Sequence, residues 1–172
     1  MVAQSALIVA VAEAEPLVHS HRDQYDPSAK LGVPAHITIL FPFMPPEHAT
    51  GTVQLELAQL FSSCVAFEFS LNRVVRLGDA LVLCPAPAEP FIELTNKVAE
   101  CFPEFPSYGG KFKNIIPHLT VARGAEAELA GVQRTLMGML DERGTVRSRC
   151  QRITMIENSS GLWHHLQSFQ LT

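Results

Sequence analysis

The stretch Pro34-Ala35-His36-Ile37-Thr38-Ile39-Leu40-Phe41 has a weaker counterpart further along the chain, Ile116-Pro117-His118-Leu119-Thr120-Val121. Each copy sets a proline just ahead of a His-x-Thr triplet with apolar neighbours. In an extended strand successive side chains point to opposite faces, so His36 and Thr38 share one face while Ile37 and Ile39 take the other. The second copy repeats this with His118 and Thr120 on one face and Leu119 and Val121 on the other. At this chain's His and Thr content about 0.4 His-x-Thr triplets are expected by chance, and the apolar framing makes two matched copies rarer still.

The surrounding chain is that of a compact protein. Its 172 residues suffice for one sizeable core. A hydrophobic fraction of 47% and a charged fraction of 17% argue against disorder. The net charge is −4 and no Lys/Arg run exceeds two residues, which excludes a protein that tracks a long phosphate backbone. A small anionic ligand or one nucleic-acid end fits. Ala6 to Ala12 lacks the positive flank of a signal peptide and runs into Glu13 and Glu15, so it is expected as a buried first strand. No apolar run approaches membrane-spanning length. Cys64, Cys84, Cys101 and Cys150 are scattered and expected as reduced, mostly buried thiols of a cytoplasmic protein.

Working outward, Leu17, His21 and Tyr25 predict a short helix entered at Pro16 and ending near Asp26-Pro27. Lys30 to Pro34 form a loop into the first His-x-Thr strand, which stops at Phe41-Pro42-Phe43. Pro45-Pro46 open a second helix with Val53, Leu57, Leu60 and Phe61 on one face. Val65, Phe67, Phe69 and Leu71 alternate as a half-buried strand, and Gly78-Asp79 turns a hairpin between Val74-Val75 and Ala80 to Leu83. Phe91, Thr95, Val98 and Phe102 mark a third helix. The loop Pro103 to Lys113, with three aromatics, leads into the second motif and overhangs the same place. Gly124 closes that strand; Leu129, Val132, Leu136 and Leu140 make a fourth helix; and Arg152 to Glu157 and Trp163 to Leu171 form two strands around Asn158 to Gly161. The motif copies lie 82 residues apart, near half the chain. This order predicts an α+β fold: a bilobal chain of duplicated lobes, antiparallel sheet with helices outside, a pseudo-twofold axis, and a central groove within one domain spanning residues 1–172.

Such an axis brings His36 and His118 to opposite sides of one groove, each with its threonine beside it. In-line displacement at phosphorus needs a base on one side and an acid on the other. Histidine serves at both, since its ordinary pKa of about 6.5 allows a neutral and a protonated ring together near pH 7. The hydroxyls of Thr38 and Thr120 would donate to the non-bridging oxygens, where charge collects in the transition state. The scheme calls for no metal and no cofactor.

Two His-x-Thr strands half a chain apart in a protein of this length resemble the 2H phosphoesterase superfamily, which includes bacterial 2′-5′ RNA ligases and 2′,3′-cyclic nucleotide phosphodiesterases. The proline ahead of each His, and Phe41-Pro42-Phe43 after the first motif, resemble its RNA ligase-like members. The resemblance implies a bilobal α+β fold with a groove between lobes and metal-free attack on cyclic phosphodiesters or 2′-5′ linkages, with ligation as the reverse. His36 and His118 would be the acid–base pair, and Thr38 and Thr120 the phosphate binders. Arg123 would add a phosphate contact, since an arginine often follows the second motif in these proteins.

Strict alternation from His118 sends Arg123 to the opposite face, against that role. Tyr108 and Phe43 are candidates to stack a base, with apolar packing the stronger reading for Phe43. Lys111 and Lys113 either attract an anion or are solvated loop residues. His19 and His21 fall on different faces of a helix. His164 and His165 point oppositely in a strand, one of them to solvent, and His48 is exposed at a helix start. The expected partner is a small nucleotide or RNA end, with no long nucleic-acid tract, no membrane, and a monomeric chain. Two rivals stand beside this: a non-catalytic nucleotide-binding protein using the same groove, and a metal-dependent phosphohydrolase using His19, His21, His36 and His118, which lacks a His-Glu-x-x-His or Asp cluster.

Overall fold

The structure, a computed structural model, describes residues 2–111 and 113–172. Phe112, one of the three aromatics of the 103–113 loop, lies outside the described residues. The elements run β1 Ser5–Ala10, α1 Glu15–Tyr25, α2 Pro27–Lys30, β2 His36–Leu40, α3 Gly51–Ser62, β3 Phe67–Leu77, β4 Ala80–Ala86, α4 Glu89–Cys101, β5 Leu119–Arg123, α5 Glu126–Arg143, β6 Val146–Cys150, β7 Arg152–Glu157 and β8 His164–Gln170. This is the expected α+β mixture of helices and antiparallel sheet.

All eight strands belong to one sheet in the order β6-β3-β4-β5-β2-β1-β7-β8, with every neighbouring pair antiparallel. The halves therefore do not carry separate sheets, as expected of two lobes; the motif strands β2 and β5 join them at the centre. Nor is each half one continuous stretch of chain. β3 follows the first motif yet lies beside β4, and β7 follows the second motif yet lies beside β1. The helices cross over in the same way, α1 packing on β5 and α4 on β2.

β2 and β5 meet at the pair Ile37–Leu119. Val9 flanks Ile37 on β1 and Leu83 flanks Leu119 on β4. This gives an apolar row across the four central strands, all four side chains at most 2% exposed, on the face covered by helices. Burying an aliphatic side chain of this size contributes roughly 1.5–3 kcal/mol. The row belongs to the main core cluster, which takes in Leu17 of α1, Leu57 and Phe61 of α3, Phe91 and Val98 of α4, and Leu129 and Leu136 of α5. The opposite face of the sheet carries two smaller apolar clusters, around Ile8 and Ile156 and around Ala80 and Val82.

Several boundaries depart from the sequence pattern. Pro46–His48 form a 3-10 turn, and α3 starts only at Gly51. Val65 is exposed and outside the sheet; β3 runs unbroken from Phe67 to Leu77, with an irregularity between Leu71 and Arg73 that resets the alternation. The short helix α2 was not anticipated. It is nucleated by Asp26, whose carboxylate accepts from the Ser28 amide. Also unanticipated, β6 pairs as an edge strand with β3. The four cysteines are free thiols, three of them buried and Cys101 exposed. Among the described residues no helix is long and apolar enough to cross a membrane.

The central row sets a stability test. Leu119→Ala opens a cavity where the two halves meet, and the free energy of unfolding in urea should fall by about 2–5 kcal/mol, as for large-to-small changes in a packed core. A loss under about 1 kcal/mol would show that the halves do not depend on this pair.

Candidate active site

Carrying the Ile37–Leu119 register one residue each way sets His36 across from Thr120 and Thr38 across from His118. A local twofold axis thus passes through the apolar pair and relates the motifs. The two histidines are diagonal neighbours on the face away from the helices, a relation that spaces residues roughly 7–8 Å apart. A phosphate group fits between two rings so placed.

Both strands then do something simple alternation does not anticipate. The β1–β2 register shifts between Ile8–Thr38 and Leu7–Leu40, leaving Ile39 as an extra residue. The β4–β5 register shifts between Val82–Thr120 and Leu81–Ala122, leaving Val121 extra. Each is a β-bulge, which places two consecutive side chains on the core side and re-aims the next. Ile39 and Leu40 both lie in the main core, as do Val121 and Ala122. Phe41 and Arg123 consequently return to the face of the histidines, and both line the groove. The strict-alternation objection to Arg123 falls for this reason. At the first bulge the buried Thr95 hydroxyl of α4 lies 2.8 Å from the Ile39 carbonyl and donates to it, occupying an acceptor where the ladder is interrupted.

The groove has a volume of about 340 Å³ and is lined by His36, Thr38, His118, Thr120, Arg123 and Tyr108, together with an apolar side that includes Phe41 and Trp163. Of the residues singled out in the sequence, Phe43 alone among the site candidates is absent. It is 4% exposed and packs edge-on against Phe102 and Phe105 in the core, because the chain after Phe41 turns back over β1, the Phe43 amide donating to the Ser5 carbonyl. Phe41 and Trp163 are the aromatics that face the groove, in edge contact at 5.9 Å. Phe41 was legible in principle: the 82-residue offset that maps His36 on His118 also maps Phe41 on Arg123, each preceded by two apolar residues. Lys111 and Lys113 are exposed and do not line the groove.

The two histidines are held alike. Nδ1 of His36 is 2.8 Å from the Pro34 carbonyl, and Nδ1 of His118 is 2.7 Å from that of Ile116. A carbonyl only accepts, so Nδ1 carries the proton in both rings. Nε2 is left as the atom that exchanges protons. Burial pushes the His36 pKa down to about 4, against a smaller upward pull from its hydrogen bond to Pro34. Burial also lowers the His118 pKa, with the Arg123 charge adding to the effect. Both residues are half-buried.

The walls are fixed from several directions. On one side the buried Arg22 guanidinium donates to Asp26 at 2.9 Å, to the Ser28 hydroxyl at 3.2 Å and to the Val33 carbonyl at 3.0 Å. Asp26 borders the groove, but its other carboxylate oxygen accepts from the amide and hydroxyl of Ser28, so its charge is committed to the wall. Overhead, Tyr108 sits in a 3-10 turn at Ser107–Gly110 with φ 52°, a left-handed conformation uncommon for a tyrosine. Its amide donates to the Phe41 carbonyl at 2.7 Å. Strain of this kind, of order 1–3 kcal/mol, persists only where surrounding structure imposes it and clusters at functional sites. Arg123 is aimed by an ion pair with Asp79 at 2.9 Å, in the β3–β4 turn. Both partners are largely exposed, so the pair orients more than it stabilises.

A profile of the 2′-5′ RNA ligase superfamily matches residues 8–162, and the chain belongs to that family. Solved structures with the same fold include LigT of E. coli in complex with NADP+, 16% identical at TM-score 0.61 over 98% of this chain and 97% of that one. LigT complexed with 3′-AMP is 14% identical at TM-score 0.60, covering 98% of each chain. TT0787 of Thermus thermophilus is 17% identical at TM-score 0.59, covering 99% and 98%. No curated protein sequence matches.

The ring environments predict a titration. By NMR, His36 and His118 should both titrate below 6.5, His36 near about 4, and adding 3′-AMP should raise both, since a bound phosphate favours the protonated rings. Stability follows with a definite sign. The unfolded chain takes up a proton near 6.5 and the folded His36 only near 4, so stability is full above pH 6.5 and is lost as pH falls through that window. Histidines titrating at or above 6.5 in the free protein would contradict the burial described.

Proposed function

We propose that the protein is a metal-independent phosphodiesterase acting on 2′,3′-cyclic phosphates or 2′-5′ linkages of nucleotides or RNA ends, and that His36 and His118 are its acid–base pair. Family membership supports chemistry at phosphodiesters, of a phosphodiesterase or ligase type. The observation that carries this is the matched pair of imidazoles, each donating Nδ1–H to a carbonyl two residues earlier and each leaving Nε2 for the groove they share.

For a cyclic phosphate, one Nε2 takes a proton from water as the water oxygen attacks phosphorus. The P–O bond on the far side breaks, and the second Nε2 delivers its proton to the departing ribose oxygen. Each transfer supplies roughly 10²–10⁴-fold. Thr38 and Thr120 donate to the two non-bridging oxygens as charge gathers on them, and Arg123 adds a cation at the rim. When a 5′-hydroxyl of a second RNA end takes the place of water, the same histidine accepts its proton, the P–O bond to the 3′-oxygen breaks with protonation by the other, and a 2′-5′ linkage forms; cleavage of that linkage is the reverse, with the histidines exchanging roles. Tyr108 and Phe41 offer rings to a base. The nucleotides held by LigT in two similar structures, NADP+ and 3′-AMP, agree with a ligand of this class.

In EDTA, wild-type protein should hydrolyse a 2′,3′-cyclic mononucleotide to a single phosphate isomer. His36→Ala and His118→Ala should each lower kcat/KM by at least about a hundredfold. The base must be neutral and the acid protonated in the free protein, and both pKa values lie below 6.5; kcat/KM should therefore peak on the acid side of pH 6.5. Nucleotide binding without turnover would instead make the groove a binding site, and loss of activity in EDTA would return the metal-dependent reading.

A further inference from the structure

A second cavity adjoins the groove on the same face of the sheet, and the scheme above leaves it unused. Its volume is about 350 Å³, against about 340 Å³ for the groove. Each is of the size that takes a small ligand. Ile8, Ile156 and Trp163 line both cavities, so Trp163 is a partition between them and the floor continues beneath it. Cross-strand pairs carry that floor outward. Ile8 lies opposite Thr154, Thr154 opposite Ser168, and Ile156 opposite His165.

The chemistry changes across the partition. Beyond Trp163 the cavity presents Arg152, His164 and His165 with the hydroxyls of Thr154 and Ser168. Among the described residues its lining contains no carboxylate, although the protein as a whole has net charge −4. Alternation alone would send one of the adjacent histidines to solvent. His165 lies opposite Ile156, which lines both cavities, and so takes the cavity face, its Nε2 2.8 Å from the Ser168 hydroxyl; the adjacent His164 borders the cavity at its rim, its Nε2 2.8 Å from the Ser160 hydroxyl. His164 lies opposite Glu157, whose carboxylate accepts from the Ser159 amide at 2.7 Å and also feels the His164 ring, so His164 is not free for an incoming anion; that carboxylate is outside the cavity lining.

The partition itself is built in. The Trp163 amide donates to the Leu31 carbonyl at 2.8 Å. Gly32 has φ +92° and could accept a Cβ only 3.2 Å from the Trp163 carbonyl, so a glycine lets these two segments close on each other. The indole is half-buried with Phe41 against it.

We propose that this cavity is a subsite for the nucleotide next to the reacting one, with Arg152 and His165 engaging its phosphate and Trp163 stacking between the two bases. The substrate is then an RNA end of two or more nucleotides rather than a mononucleotide. The proposal rests on the paired-histidine reading, and binding separates the two because it needs no turnover.

Calorimetric titration with 3′-AMP and with the dinucleotide ApA bearing a 3′-phosphate tests it. Wild type should bind the dinucleotide at least about tenfold more tightly, in keeping with one further stacked base. Arg152→Ala, and the double variant Arg152→Glu with His165→Ala, should erase most of that advantage and leave 3′-AMP affinity within about twofold. Equal affinity of wild type for both ligands would overturn the subsite and leave the paired-histidine groove standing, as would variants that weaken both ligands in proportion. Failure to bind either ligand would overturn both readings.

Discussion

One antiparallel contact, Ile37 against Leu119, decides where everything chemical in this protein lies. The pair is fully buried on the helix side. A one-residue slip would turn each motif over, placing histidines in the core and isoleucines in the groove. The apolar halves of the two motifs therefore enforce the register that their polar halves need. The placement of the histidines is a by-product of core packing, and the pair could not be loosened without moving both of them.

The bulges after each threonine extend that economy. Without them, Phe41 and Arg123 would point into the helix layer; with them, a groove that is twofold in its histidines and threonines becomes unlike at its two ends. One end gains an aromatic ring beside Trp163 and the other a cation aimed by Asp79. A strictly symmetric groove would hold a phosphate equally well in either direction. The Phe41–Arg123 difference, together with Leu31 and Val33, makes one end of the groove apolar and the other cationic.

Much of this was legible in the residues. The two His-x-Thr copies, their shared face and the α+β order follow from period-two alternation and from the spacing of the motifs. The single sheet was not, because nothing local in β3 or β7 says that each crosses to pair with the other half; that is a tertiary choice. Phe43 was ambiguous because an aromatic beside a motif reads the same whether it faces groove or core, and only the turn back over β1 decides for the packing reading. Arg123 was ambiguous in the opposite direction, since a bulge has no signal in alternation by itself. It becomes visible only when Ile39-Leu40 and Val121-Ala122 are compared as equivalent pairs. For His164 and His165 alternation held, since they pair consecutively with Glu157 and Ile156; what it could not show is the second cavity that His165 faces.

The claim that the two histidines act together in one displacement is tested most directly by a double-mutant cycle on cyclic-phosphate hydrolysis. Residues that work as a unit are strongly non-additive. His36→Ala/His118→Ala should be no more than a few-fold slower in kcat than the slower of the two single variants. Losses that multiply, the double variant falling by the product of the single effects, would mean that the rings contribute independently and would contradict the paired mechanism.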